Sequence, residues 1–313
     1  MFLGIDLGGT KCAFGLLDEN GVIHDELRID TQQHDGPEVM LPRLAEAAKK
    51  VIGNSKAVKS AGIGVPGPVK HGPGICVYAP NLAGWTNLAV GPKLTELIGI
   101  PVNVLNDANA ASLGEARFGA GLGSNDVLVL TMGTGIGSGL ILDGQLRLGA
   151  SERGAEVGHI TVDINDKRGS AGNVGTLESV CGRDAIVWRA LRALTWGRDS
   201  ILHETCPDLS QMTPKHISDA ANQGDDLAKK VWVETASYLA VGIVNVILTA
   251  DVSRVVIAGG VAKAGEALFE PLRWAVAART SRLTFDVSQI VPAKLGEDAG
   301  LIGAAQWARE RAA

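Results

Sequence analysis

The stretch Phe2-Leu3-Gly4-Ile5-Asp6-Leu7-Gly8-Gly9-Thr10-Lys11 decides how the rest of the chain is read. An apolar run bounded by turn residues reads as a buried strand. This one ends at an acid, Asp6, and at the Gly8-Gly9 turn; a second apolar run, Cys12 to Leu17, follows. Asp18-Glu19-Asn20-Gly21 then turns the chain again. The plan is strand, tight turn, strand, turn, strand. Paired glycines let backbone N–H groups approach a bulky anion, and Lys11 adds a positive charge beside them. A carboxylate at a strand end can hold Mg²⁺, directly or through water. An ordinary Gly-Gly hairpin explains the same residues, so this stretch alone leaves both readings open.

The plan occurs twice. Asp126 to Met132 is apolar, breaks at Gly133-Thr134-Gly135-Ile136-Gly137 and resumes from Ser138 to Leu142. Asp143-Gly144 turns it, and Gln145 to Leu148 closes a third strand. A duplicated hairpin implies two similar lobes with their glycine turns facing across a cleft. Other glycine motifs fail: no G-x-x-x-x-G-K-[ST] is present, and the second glycine run leads into a strand where a dinucleotide fold needs a helix.

Between the copies, Val58 to Val65 reads as a strand running into Gly62-Ile63-Gly64-Val65-Pro66-Gly67-Pro68. That loop is rigid, with backbone that must approach something closely. Asn81-Leu82-Ala83-Gly84-Trp85 begins with a lone Asn of the kind that usually marks a turn. Pro101 to Leu105 is a short strand that delivers Asn106-Asp107-Ala108-Asn109-Ala110 to its carboxyl end, where ligands gather in open α/β sheets. Ala111 to Phe118 are good helix formers, so Asp107 stands at a strand-to-helix junction. It can cap that helix, act on a ligand, or do both. The neighbouring Asn offers a donor and an acceptor, which suits a polyol. Val255-Val256-Ile257-Ala258-Gly259-Gly260-Val261 lines an adenine pocket or is a plain strand–helix junction. Helices are expected over Glu38 to Ile52, stopping at Gly53-Asn54; over Asp225 to Thr249, buried between layers; and over Glu297 to Glu310, apolar on one face.

Composition limits the function. The 313 residues suggest two domains, and 46% hydrophobic against 20% charged residues describe a globular chain with a large core. Only 4% are aromatic, so that core is aliphatic. A net charge of −5 argues against nucleic acid or a membrane surface as partner. Cys12, Cys76, Cys181 and Cys206 form no CxxC pair and fit free thiols in a reducing cytoplasm. The chain enters a strand at once, so neither a signal peptide nor a preceding DNA-binding module is expected. The apolar stretch Leu239 to Leu248 is too short for a bilayer.

Two strand–glycine–strand hairpins flanking a strand-end Asp resemble the actin-like ATPase (ribonuclease H-like) fold: α/β, two-lobed, with a central cleft. The resemblance narrows. Asp6 to Lys11, Pro66-Gly67-Pro68-Val69, Asn106 to Ala110, Gly133 to Gly137 and Glu156-Val157-Gly158-His159 occur in the order and spacing of the ROK family of repressors, open reading frames and kinases. The Asn81 to Trp85 stretch is similar to that of its bacterial glucokinases. The resemblance covers the whole chain and implies a small lobe of residues 1–113 plus 297–313 and a large lobe of residues 114–296. It implies an ATP-dependent kinase acting on the 6-hydroxyl of glucose, with Mg²⁺, in a cytoplasmic homodimer. Asp107 would be the general base, and Asn81, Asn106, Glu156, His159 and Glu178 would bind the other hydroxyls. Gly9, Thr10, Lys11, Gly133, Thr134 and Gly135 would hold the phosphates, Asp6 would position Mg²⁺, and Gly259 and Gly260 would lie near the nucleoside. An Asp at its ordinary pKa of about 3.9 is a weak base, which suffices if the hydroxyl proton moves late. Related kinases for N-acetylmannosamine, fructose or allose differ only in the pocket; a non-catalytic sugar-binding regulator would keep the fold without needing Asp107.

One departure stands out. The family places a zinc site after its Glu-x-Gly-His motif, with three thiolates completing the ligands of the His. The matching positions here are Gly169, Ala171 and Thr176, none of which is a zinc ligand, and Cys181 is alone. No zinc is therefore expected. His159, which by spacing alone reads more readily as a buried structural histidine and which only the resemblance makes a ligand, would be oriented by some other group such as a backbone carbonyl.

Overall fold

The computed structural model describes residues 1–53, 57–166, 169, 172–280 and 285–312. The opening hairpin is β1 (Phe2–Leu7) and β2 (Lys11–Leu17), continued by β3 (Ile23–Asp30). Helix α1 (Pro37–Ile52) leads to β4 (Ala61–Val65), three residues shorter than the apolar run. Gly53 closes α1 by donating its N–H to Lys49 O, and Asn54 lies outside the described residues. A small sheet of β5 (Val69–Lys70), β6 (Ile75–Tyr78) and β7 (Thr86–Leu88), then α2 (Val90–Ile98), precede β8 (Val102–Asn106) and α3 (Asp107–Phe118). The second copy is β9 (Val127–Met132), β10 (Ile136–Leu142) and β11 (Gln145–Leu146). Helices α4 (Leu177–Cys181), α5 (Arg183–Thr195), α6 (Leu202–Thr205), α7 (Pro214–Asn222) and α8 (Asp226–Ala250) follow. The chain closes with β12 (Arg254–Ala258), α9 (Glu266–Ala277), β13 (Ile290–Pro292) and α10 (Ala299–Ala312).

The duplication extends beyond the hairpins to whole sheets. One sheet has the order β3-β2-β1-β4-β8 and the other β11-β10-β9-β12-β13. In each, the first hairpin is antiparallel, and its central strand pairs in parallel with a later strand. Parallel pairing brings the carboxyl ends of β1, β4 and β8 together, with Asp6 opposite Gly64 and Val65 opposite Asn106. β11 stops at Leu146, short of Leu148, because Leu148 O accepts from Gly154 N and the chain leaves the sheet as a loop.

Two helices depart from expectation. α10 is buried on all sides: every residue from Ala299 to Ala308 is buried, the polar Gln306 included. It lies between the first sheet and α3, and its glycines and alanines permit backbone-to-backbone approach on both flanks. α8 has 25 residues, and its most apolar 18-residue window has mean hydropathy 1.7, long and apolar enough by length and composition to cross a membrane, which Leu239 to Leu248 alone was not. Here it is the core helix of the second lobe, with Trp232, Leu239 and Ile243 fully buried. Its N-cap is Asp225, whose carboxylate accepts from Ala228 N at 2.7 Å. All four cysteines are free and buried.

Glu115 of α3 is fully buried. Its carboxylate accepts from the backbone N–H groups of Ala120, Lys294 and Leu295. An ionised carboxylate needs such donors when buried. These bonds tie the connection into α10 to α3.

Candidate functional site

A cleft of about 670 Å³ opens between the two sheets. Its floor is the strand-end group. β1 ends on Asp6 and β8 on Asn106, and α3 begins with Asp107. The cap of α3 is Asn106, not Asp107: Asn106 Oδ1 accepts from Asn109 N at 3.1 Å. Asn106 Nδ2 donates to Gly67 O (3.1 Å) and to Asp107 Oδ1 (2.9 Å), and Ala108 N also donates to Asp107 Oδ1 (2.8 Å). Asn106 thus spends both amide hydrogens on the protein, orients Asp107, and can offer a ligand one lone pair of Oδ1. Gly64 lies between the two acids; a Cβ there would sit 3.5 Å from Asp107 Cα and 3.7 Å from Asp6 Oδ1.

Burial sets the electrostatics. Desolvation, followed by the charge of Asp107, raises Asp6 to about 7, and Arg28 offsets part of this. Desolvation likewise raises Asp107 to about 6 against the pull of its hydrogen bonds from Ala108 and Asn106, with the Glu156 charge pushing the same way as burial. Asp107 is therefore a better base than an exposed Asp. Carboxyls raised on folding favour the native state at low pH, and that contribution fades as pH climbs from about 4 through their native values near 6 and 7.

The second glycine turn forms the facing wall. Gly133 N donates to Gly135 O, and Ile136 N donates to Glu178 Oε2 at 2.9 Å. A Cβ on Gly135 would overlap that carboxylate, so a side chain there would have to displace Glu178 from Ile136 N. Glu156, His159 and Glu178 share one end of the cleft. Burial raises Glu156, the His159 charge lowers it, and the Glu178 charge raises it. From the first turn, Gly8 enters the wall, while Thr10 and Lys11 are exposed and with Gly9 stand outside it. Gly259 enters the wall; Gly260 and Asn81, both exposed, do not. Motif reading missed His71, Glu152 and Arg153, which also line the cleft. No motif marks them, because 81 residues separate His71 from Glu152 and the folded chain alone unites them.

The ROK family description matches residues 2–311. The chain belongs to the ROK family. It is 35% identical to a glucokinase of Thermotoga maritima over 99% of this chain and 97% of that protein. It is 33% identical to a glucokinase of Halalkalibacterium halodurans, covering 96% and 93% of the two chains. Among solved structures it is similar to a ROK family glucokinase from Streptomyces griseus in complex with glucose and AMPPNP, with TM-score 0.81, 33% identity and 99% of each chain covered. That likeness also establishes the two-lobed actin-like α/β fold.

The donors at the ROK zinc positions do not fit zinc. Thr176 is buried and caps α4, accepting from Ser179 N. A Cβ on Gly169 would overlap Asn173 O, and Ala171 lies outside the described residues. Cys181 is buried with its thiol toward Thr235 O, and burial pushes that thiol up to about 12. Among the described residues no three His, Cys, Asp or Glu side chains cluster as a metal site. Asn173 Nδ2 donates to His159 O, tying that segment to the following loop.

Proposed function

We propose that this ROK protein is an ATP-dependent hexose kinase that transfers the γ-phosphoryl group to the 6-hydroxyl of glucose. The observation that carries this reading is Asp107. It sits at a strand end within a cleft walled by both glycine turns, with its carboxyl raised to about 6. Asp107 accepts the proton of the 6-hydroxyl as that oxygen bonds to phosphorus and ADP leaves. Transfer of this kind is loose, so most of the acceleration comes from positioning and charge stabilisation. Gly9, Thr10, Lys11 and Gly133 to Gly135 hold the phosphates, and Gly259 and Gly260 flank the nucleoside. Asn81, Asn106, Glu156, His159 and Glu178 read the remaining hydroxyls. Asp6, at the strand end beside Asp107, suits a hydrated Mg²⁺. Asp6 would hold that ion through water, and the ion would neutralise phosphate charge.

Gly9, Thr10, Lys11 and Asn81 reach the ligands when the lobes close, which also excludes water from the transfer. Dividing the lobes at residues 1–113 plus 297–313 and 114–296 puts the boundary inside α3, so closure turns about the α3–α10 pair.

ADP release measured over a panel of hexoses tests the reading. Glucose is expected to give the highest kcat/KM; a panel on which no hexose raises ADP release above background would reject it. In the same assay kcat/KM falls about tenfold per pH unit below about 6, because protonated Asp107 cannot accept a proton. Asn106→Ala removes a bond that favours the carboxylate and moves that limb upward. Metal analysis of purified protein is expected to find no stoichiometric zinc, and chelation to leave Tm unchanged; one zinc per chain would contradict the assignment of the 169–178 stretch.

A further inference from the structure

The loop from Arg147 to Glu156 leaves β11 in one lobe and reaches the turn after β5 in the other. There, His71 N donates to Glu152 Oε2 at 2.7 Å. The His71 side chain is 1% exposed, and neither ring nitrogen has a hydrogen-bond partner. Nδ1 lies 3.6 Å from the same Glu152 oxygen, just beyond hydrogen-bond length. The ring packs edge-on against Trp307 of α10, with centroids 5.9 Å apart.

The loop is braced as a unit. Gly154 N donates to Leu148 O, the Ser138 hydroxyl donates to Ala155 O, and Val157 N donates to Ser138 Oγ. Glu152 (φ 60°) and Ala155 (φ 62°) are both left-handed, a conformation non-glycine residues keep only where surrounding contacts hold it. Glu156 and His159 come directly after this brace, so whatever fixes Glu152 also fixes them relative to the small lobe.

We propose that Glu152 and His71 form a cross-cleft latch with one bond made and one waiting. The backbone bond holds the ligand-free cleft. Sugar binding draws the lobes together by under 1 Å at this point and completes a bond between Nδ1–H and Glu152. The latch makes Glu152 and His71 positioning residues for Glu156 and His159. The second step rests on the sugar-kinase reading; the first does not.

Hydrogen exchange of the full chain, with and without glucose, tests both steps. Glu152→Ala is expected to speed ligand-free exchange in residues 70–74 and 147–155 about tenfold while the rest of the chain keeps its protection. Glu152→Gln keeps an acceptor for His71 N and restores it. His71→Phe keeps the ring volume and the backbone bond, so ligand-free exchange matches wild type. It is expected to lose the extra protection glucose confers and to raise the hexose KM about tenfold, leaving the ATP KM unchanged. Wild-type exchange in Glu152→Ala would overturn the made bond, and a wild-type hexose KM in His71→Phe would overturn the waiting one. If no hexose binds the wild-type protein yet Glu152→Ala still loosens both segments, the backbone latch stands and the sugar-kinase reading falls.

Discussion

Asp107→Ala is expected to lower kcat by about 10²–10⁴-fold, the contribution typical of a positioned general base, while glucose still binds. The argument runs through its neighbours. Asn106 Nδ2 and Ala108 N both donate to Oδ1 of Asp107, fixing the carboxyl at the start of α3. Desolvation has raised it to about 6, so at pH 7 it is ionised yet basic enough to take a proton as the new phosphate bond forms. Asp107→Asn keeps the shape and an acceptor but not the basicity, and should fail almost as badly in kcat. Calorimetric titration with glucose separates chemistry from binding. Turnover of Asp107→Ala near the wild-type rate would end the base assignment, whatever its effect on KM.

Gly303→Ala is expected to destabilise the protein by about 3 kcal/mol, the upper part of the overpacking range, and to lower Tm by roughly 5 °C. Helix propensity alone predicts the opposite, since alanine improves on glycine within a helix by about 1 kcal/mol. The close approach decides. A Cβ on Gly303 would overlap Ala110 O, one on Gly114 would overlap Ala299 O, and one on Gly62 would overlap Ala304 O. These are backbone atoms of hydrogen-bonded helices and cannot swing aside as a flexible side chain would. α3 and α10 would have to separate, and α3 carries Asp107 at its first residue. Gly72→Ala, with no heavy atom within 4 Å of the added carbon, is the control and should leave Tm unchanged. A Gly303→Ala protein as stable as that control would show that the two helices are not in rigid backbone contact.

Much of the fold was legible because its signals are local. The Gly8-Gly9 and Gly133-Thr134-Gly135 turns, each between apolar runs, announced two hairpins, and the hairpins announced two lobes. Asp107 was legible because a strand end followed by helix formers marks a ligand-facing junction. The cap was misread since Asn and Asp both favour that position; which of two adjacent residues turns its side chain back onto the helix depends on the angle at which β8 meets α3. The full burial of α10 was missed because its partners α3, β1 and β4 come from the other end of the chain.

The sequence by itself determined the strand–glycine–strand units, their duplication, the acids at strand ends and the absence of thiolates at Gly169 and Thr176. These follow from short-range backbone preferences and from side-chain identity. Only the tertiary structure decided that burial raises Asp107 to about 6, that Asn106 is spent on orienting it, and that Glu152 meets His71 across the cleft. Desolvation and cross-lobe contact depend on which distant segments exclude water from a group, and no window of neighbouring residues contains that information.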